Sequence, residues 1–85
     1  MPKYRVVATL VLEVEITGKL ADRSKDQDFV DDFYSLDTPE KIAEHLAWNL
    51  GIQNRDLTDL DGFADLETQD ASVDIIDGYY ETREV

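Results

Sequence analysis

A strictly alternating segment near the start of the sequence constrains the fold more than any other part of the chain. From Val6 to Ile16 every even-numbered residue is apolar, whereas Arg5, Glu13 and Glu15 are among the odd-numbered ones. A period of two is typical of a β-strand with one buried face. The sequence therefore predicts a strand over residues 4–17 whose even-numbered face another element must cover. The residues on that face are Val6, Ala8, Leu10, Leu12, Val14 and Ile16.

A helix is predicted over residues 38–51. At its start, Asp37-Thr38-Pro39-Glu40 combines capping residues, a proline at the first helical position and an acid that the helix dipole favours. Gly51 is a natural stop. The apolar residues between these ends share one side of the helix, so we expect them to cover the even-numbered face of the strand. They are Ile42, Ala43, Leu46, Ala47 and Leu50.

The remaining segments are less regular. Residues 18–28 are polar and predict a loop. Residues 29–36 (FVDDFYSL) fit either one face of a helix or a strand paired with the first, and we favour the strand because the segment is short and aromatic. Residues 71–77 alternate and predict a strand. Asp77-Gly78 then favours a hairpin turn into a further strand over residues 79–85, with a bulged continuation as the alternative.

Together these segments predict a single α+β domain over residues 1–85. Its antiparallel sheet would have three to five strands, with one main helix (residues 38–51) packed on one face. The chain has no cysteine, which excludes disulfides and thiolate chemistry and is compatible with a reducing cytoplasm. Glu13 and Glu15 interrupt the first apolar run well short of the roughly 20 residues that a membrane-spanning helix needs. We therefore expect a soluble, cytoplasmic protein.

Negative charge is concentrated toward the end of the chain. The sequence has 20 acidic and 8 basic residues, for a net charge of −12. Residues 1–55 contain 10 acids and 7 bases, whereas residues 56–85 contain 10 acids and a single base, Arg83. Such a polyanion repels nucleic acid and anionic membranes and attracts basic protein surfaces.

This asymmetry suggests an interaction surface. We interpret the chain as a non-enzymatic inhibitor that mimics nucleic acid and docks on the basic surface of a nucleic-acid-handling or defence protein. The expected acidic patch comprises Asp59, Asp61, Asp65, Glu67, Asp70, Asp74, Asp77 and Glu81. Aromatic residues that could anchor the interface are Trp48, Tyr79 and Tyr80.

Two other interpretations are open. Acidity can serve solubility or salt adaptation alone. Alternatively, the protein is a structural or assembly component that self-associates through exposed Val7, Val11 and Trp48. Trp48 lies opposite the apolar stripe of the predicted helix, where either a loop or chain terminus covers it or it remains exposed as an interface anchor.

Catalytic and metal chemistry find little support in the sequence. The single histidine, His45, is expected on the solvent side of the helix, and no serine lies in a nucleophile motif. Asp59 and Asp61 with Gly62 resemble the centre of a calcium loop, but Leu57 and Thr68 occupy the positions where such a loop needs its first and last carboxylates. We therefore expect no enzyme activity, no metal site and no cofactor.

The run from Thr38 to Glu67 (TPEKIAEHLAWNLGIQNRDLTDLDGFADLE) resembles segments of small acidic accessory proteins of actinobacterial phages. It covers about a third of the chain and contains no chemical motif. The resemblance implies a cytoplasmic, phage-encoded protein from a group in which some members inhibit host machinery or host defences. The resemblance assigns no functional role to any residue of this chain.

Overall fold

A long two-stranded antiparallel ribbon dominates the computed structural model, which describes all residues from Met1 to Val85. Strand β1 (Tyr4–Ile16) pairs with β2 (Ala71–Glu84) from Tyr4 opposite Glu84 to Ile16 opposite Ala71. The first and last residues of the sequence therefore meet at one end of the ribbon, which we call the outer end. The other end is joined to a helical body formed by residues 17–70. The ribbon makes the molecule elongated, with a longest dimension of 52 Å.

The predicted hairpin at Asp77-Gly78 is wrong, and the alternative of a bulged continuation is the one observed. Val11 lies opposite Asp77 and Leu12 opposite Ile75, so Ile76 is the extra residue of a β-bulge. Gly78 lies within β2 opposite Leu10 and does not have the positive φ of a type I′ turn. Continuous pairing with β1 outweighs the local turn signal. The sheet therefore has two strands, where the sequence predicted three to five.

The body contains two short α-helices, which the 3-10 turn Tyr34–Leu36 connects, and two further 3-10 turns, Leu57–Asp59 and Thr68–Asp70. Helix α1 (Gln27–Asp32) begins after Asp26, whose side chain accepts hydrogen bonds from the backbone N–H groups of Asp28 and Phe29. The strand favoured for residues 29–36 is therefore wrong, because this cap starts a helix that the periodicity also allowed. The loop predicted for residues 18–28 contains a 3-10 helix, Gly18–Lys25.

Helix α2 (Pro39–Leu46) starts where the sequence predicted it. Thr38 caps it by accepting a hydrogen bond from the Lys41 N–H at 3.2 Å, while Asp37 pairs with the Lys41 ammonium at 2.8 Å. The helix predicted over 38–51 is observed as α2 continued without a break by a π-helical turn, Ala47–Ile52. The body thus has two short α-helices, the second extended by this wider turn, where the sequence predicted one main helix.

The hydrophobic core lies inside the body, and only the inner end of the ribbon reaches it. An added Cβ at Gly51 would overlap Leu12 and lie 3.0 Å from Val73, so this glycine allows the π-helical turn to sit directly on the ribbon. The prediction that the even-numbered face of β1 is covered therefore holds at the inner end, where Val14 and Ile16 pack against the core, and fails toward the outer end, where Val6 is exposed. The buried core residues are Leu20, Phe29, Leu36, Ile42, Leu46, Leu57, Leu60, Phe63, Leu66 and Ala71.

Candidate interaction surface

The outer half of the ribbon exposes a largely apolar face. Directly opposed residues share a face of an antiparallel pair, so the even-numbered face of β1 includes Tyr80 opposite Ala8, Thr82 opposite Val6 and Glu84 opposite Tyr4. Tyr4, Val6 and Tyr80 are 61%, 54% and 71% exposed. On the same face, Val14, Ile16 and Val73 near the inner end are partly buried against the core. We call the uncovered part the outer apolar face; it comprises Tyr4, Val6, Ala8 and Tyr80, with the half-buried Leu10 at its inner limit.

The opposite face of the ribbon carries two cross-strand pairs of like charge. Arg5 lies opposite Arg83 near the outer end, and Glu13 lies opposite Asp74 near the body. Like charges directly opposite each other destabilise a sheet. None of these four residues takes part in the ion pairs of the chain, which are Arg23–Asp65, Lys25–Asp22 and Lys41–Asp37. The fold therefore leaves both pairs unrelieved.

The predicted acidic residues are divided between the ribbon and the body. Asp74, Asp77 and Glu81 are exposed on the ribbon, opposite Glu13, Val11 and Val7. The other five lie on the body, where Asp65 and Asp70 accept hydrogen bonds from other residues of the chain. The five body residues are Asp59, Asp61, Asp65, Glu67 and Asp70.

Asp65 and Asp70 stabilise the body. The Arg23 guanidinium lies 2.8 Å from the Asp65 carboxylate, and this hydrogen bond lowers the pKa of Asp65. Asp70 is buried where β2 enters the body; its side chain accepts a hydrogen bond from the Glu67 N–H at 3.1 Å. Its backbone carbonyl accepts one from the Thr17 N–H at 2.8 Å. These contacts give both carboxylates a structural role.

The carboxylate of Asp77 is bound within its own strand. It accepts hydrogen bonds from the Tyr79 hydroxyl at 2.7 Å and from the Gly78 N–H at 2.8 Å. The hydroxyl bond is the larger cause that lowers the pKa of Asp77, and the same bond raises the pKa of Tyr79. Asp77 therefore stays ionised to lower pH than an ordinary aspartate, which keeps negative charge at the middle of the ribbon.

The predicted interface aromatics are all exposed. Trp48 belongs to the π-helical turn that touches the ribbon, and it is 55% exposed, so no loop or terminus covers it. Tyr79 and Tyr80 are adjacent in β2 and therefore point to opposite faces of the ribbon. Phe63, by contrast, is fully buried in the body.

The prediction that His45 lies on the solvent side of its helix is wrong, because the residue is partly buried. Its ring lies 5.8 Å from that of Phe63 in a stacked arrangement, and burial lowers its pKa. The Asn49 amide donates a hydrogen bond to the His45 carbonyl at 2.9 Å, and no carboxylate or serine hydroxyl is bonded to the imidazole. The ring borders an open cleft of about 340 Å³ that Arg55, Asp59 and Asp61 also line. No group of three or more metal-ligating side chains is gathered.

The sequence-based prediction missed the outer apolar face and the paired arginines. Alternation in β1 assigned Arg5 and Val6 to opposite faces, but it also predicted that the face of Val6 is covered, whereas Val6 is exposed. Arg83 and Tyr80 could not be assigned to a face from sequence, because the bulge at Ile76 changes which residues of β2 share a face.

The fold and this surface define a small α+β protein in which a helical body carries a projecting two-stranded ribbon. Comparisons with protein-family models, with curated proteins and with solved structures found no match for this chain. No helix is both long and apolar enough to span a membrane.

Proposed function

We propose that this chain is a non-enzymatic, cytoplasmic interaction protein that acts through its ribbon, first of all by self-association. The observation that carries the proposal is the outer apolar face, which no part of the chain covers. A two-stranded sheet alone is marginally stable in water and needs a third strand or a packed element. Burying one valine-sized side chain contributes about 1.5–3 kcal/mol. A partner that covers Tyr4, Val6 and Tyr80 therefore completes a sheet that the monomer leaves unfinished.

Sedimentation velocity at rising protein concentration tests this proposal. We expect a reversible shift from monomer to dimer, because the ribbon offers both apolar surface and free strand edges. Association should persist in molar sodium sulfate, since this salt strengthens apolar burial. A monomer at every concentration would refute self-association.

A second candidate is docking on a basic protein surface, and the observation that favours it is the acidic part of the ribbon. Asp74, Asp77 and Glu81 are exposed on one strand and have no cationic partner in the chain. Carboxylates of this kind attract basic grooves and accelerate association at low salt. Under this proposal the protein inhibits a nucleic-acid-handling or defence protein by mimicking nucleic acid, as the resemblance to phage accessory proteins implies.

Charge reversal on β2 tests the second candidate. A variant carrying Asp74→Lys, Asp77→Lys and Glu81→Lys is expected to lose the ability to displace labelled duplex DNA from basic DNA-binding proteins by about ten- to a hundredfold, because three attractive contacts become repulsive. The matched control carries Asp32→Lys, Glu44→Lys and Asp56→Lys, which make the same change in net charge on the exposed surface of the body. Equal losses in the two variants would mean that only total charge matters.

A further inference from the structure

The free edge of β1 is self-complementary. Because the sheet has two strands, β1 presents one row of unpaired backbone N–H and C=O groups along its whole length. If a second copy of β1 is laid antiparallel along this edge with Thr9 opposite Thr9, Arg5 faces Glu13 and Val7 faces Val11. Every residue from the outer end of one strand meets a chemically matched residue from the inner end of the other. The remaining pairs are Lys3 with Glu15, Tyr4 with Val14, Val6 with Leu12 and Ala8 with Leu10.

We propose that two copies of the chain associate in this register, about a two-fold axis at Thr9, to form a four-stranded sheet in the order β2–β1–β1–β2. The inference rests on the self-association proposed above and names its interface. Of the 13 residues of β1, residues 4–14 overlap with the second copy, and antiparallel pairing over that length makes about ten backbone hydrogen bonds. A standard protein interface has about ten.

Charge selects this register over its neighbours. At Thr9, symmetry gives two Arg5–Glu13 pairs and two Lys3–Glu15 pairs. Lys3 is held in line with the ribbon because its carbonyl accepts a hydrogen bond from the Val85 N–H at 2.8 Å. A shift of two residues in either direction keeps one kind of opposite-charge pair, Arg5–Glu15 or Lys3–Glu13, in place of two kinds. The same shift also places Glu13 opposite Val7, or Arg5 opposite Val11. A shift of one residue would set the apolar face of one copy beside the charged face of the other.

The same pairing relieves the two like-charge pairs of the ribbon. Arg5, which lies opposite Arg83 in its own chain, gains Glu13 of the second copy as its other neighbour. Glu13, which lies opposite Asp74, gains Arg5 of the second copy. Each row across the four strands then runs Arg83, Arg5, Glu13 and Asp74, so the two like-charge pairs of opposite sign lie side by side and attract each other.

The apolar residues are also placed together. A two-fold axis perpendicular to the sheet keeps the even-numbered faces of both copies on one side. Tyr4 and Val6 then lie beside Val14 and Leu12 of the second copy, at the part of its ribbon that its own body covers. The outer apolar face of each copy therefore adjoins the body of the other.

The edge of β2 does not offer an equivalent interface. Its exposed charges are Asp74, Asp77, Glu81 and Glu84, with only Arg83 of opposite sign. Pairing β2 with itself about Tyr79, the counterpart of Thr9, sets Asp77 against Glu81 twice. Association through β1 is therefore preferred.

Mixing two single variants tests the pairing. In both halves of the dimer, Arg5→Glu alone sets one glutamate against another, and Glu13→Arg alone sets one arginine against another. We expect each variant by itself to dimerise at least about tenfold more weakly than the original chain. An equimolar mixture should regain association as a heterodimer, because the two variants together leave one unchanged Arg5–Glu13 contact and one contact in which the charges are exchanged. Sedimentation velocity and native mass spectrometry measure the species.

Loss of dimer in these variants cannot be attributed to a weakened ribbon. Arg5→Glu turns the Arg5–Arg83 pair into an attractive one, and Glu13→Arg does the same for the Glu13–Asp74 pair. Each monomer should therefore melt at the same temperature as the original chain or higher. If each variant alone dimerises like the original chain, or if mixing fails to restore association, the proposed register is wrong.

A single cysteine separates the β1 edge from other arrangements. In the proposed dimer the Cα atoms of the two Thr9 residues lie about 4.5–5.5 Å apart, within the range of a disulfide. Thr9→Cys is therefore expected to cross-link under mild oxidation, with no other cysteine in the chain to compete. In the same dimer Tyr79, the cross-strand neighbour of Thr9, is separated from its copy by three strand spacings, about 14 Å. Tyr79→Cys is the matched control and should not cross-link.

The outcomes separate this inference from the proposal on which it rests. If the chain dimerises but its Thr9→Cys variant does not cross-link, self-association is correct and the β1 edge is not the interface. If Tyr79→Cys cross-links and Thr9→Cys does not, the two copies associate through β2 and the proposed β1 interface is wrong. If the chain stays monomeric, both the β1 interface and the proposed self-association are wrong.

Discussion

Replacing Phe63 with alanine is expected to remove about 3–5 kcal/mol from the free energy of unfolding. The Phe63 side chain is fully buried, and its ring lies 5.6 Å from that of Phe29 and 5.8 Å from that of His45. A domain of this length has a total stability of roughly 4–13 kcal/mol. The substitution should therefore leave the body marginally folded or unfolded at room temperature.

Urea denaturation followed by circular dichroism and by Trp48 fluorescence measures this loss. Tyr34→Ala is the control, because Tyr34 is an aromatic residue of the same body that is 81% exposed, and its removal should change stability by less than about 0.5 kcal/mol. If Phe63→Ala costs no more than Tyr34→Ala, the packing described for the body is incorrect.

Val14→Asp and Val6→Asp are expected to differ strongly, although both substitutions put the same charge on the same face of the same strand. Val14 is partly buried against the core, so an unpaired carboxylate there should lower the free energy of unfolding by about 2–4 kcal/mol. Val6 is 54% exposed in the monomer, where the same change should cost less than about 0.5 kcal/mol. Val6→Asp should nevertheless weaken dimerisation, because it places a carboxylate beside Leu12 of the second copy.

Thermal melts at low protein concentration measure the first effect, and sedimentation velocity measures the second. The comparison separates the stability of the monomer from its association. Equal destabilisation of the monomer by both substitutions would show that the body covers the outer end of the ribbon as well as the inner end.

The acidity of the chain has more than one physical role. Asp65 and Asp70 hold parts of the body together through Arg23 and the backbone of Glu67, so reversing their charge would damage the fold. The β2 carboxylates Asp74 and Glu81 have no such contacts, and a loss of binding after their reversal can be attributed to the surface. Charge alone therefore does not mark a residue as part of an interface; its hydrogen-bond partners have to be known.

Local chemistry was sufficient to predict the elements whose signals lie within a few residues of each other. The alternation from Val6 to Ile16 predicted β1, and Thr38-Pro39-Glu40 predicted the start of α2. The segment from Phe29 to Leu36 carried both helical and strand patterns. The Asp26 side chain decided in favour of the helix by capping α1.

By itself the sequence determined that β1 is a strand with one apolar face, that α2 begins at Pro39, and that the chain carries excess negative charge. Only the tertiary structure decided that β1 pairs with the distant β2, that a bulge at Ile76 replaces the turn expected at Asp77-Gly78, and that the body covers only the inner end of the ribbon. Patterns within one element reflect interactions between near neighbours in the chain. Strand register and the coverage of a face depend on contacts between residues far apart in the sequence, which no local pattern records.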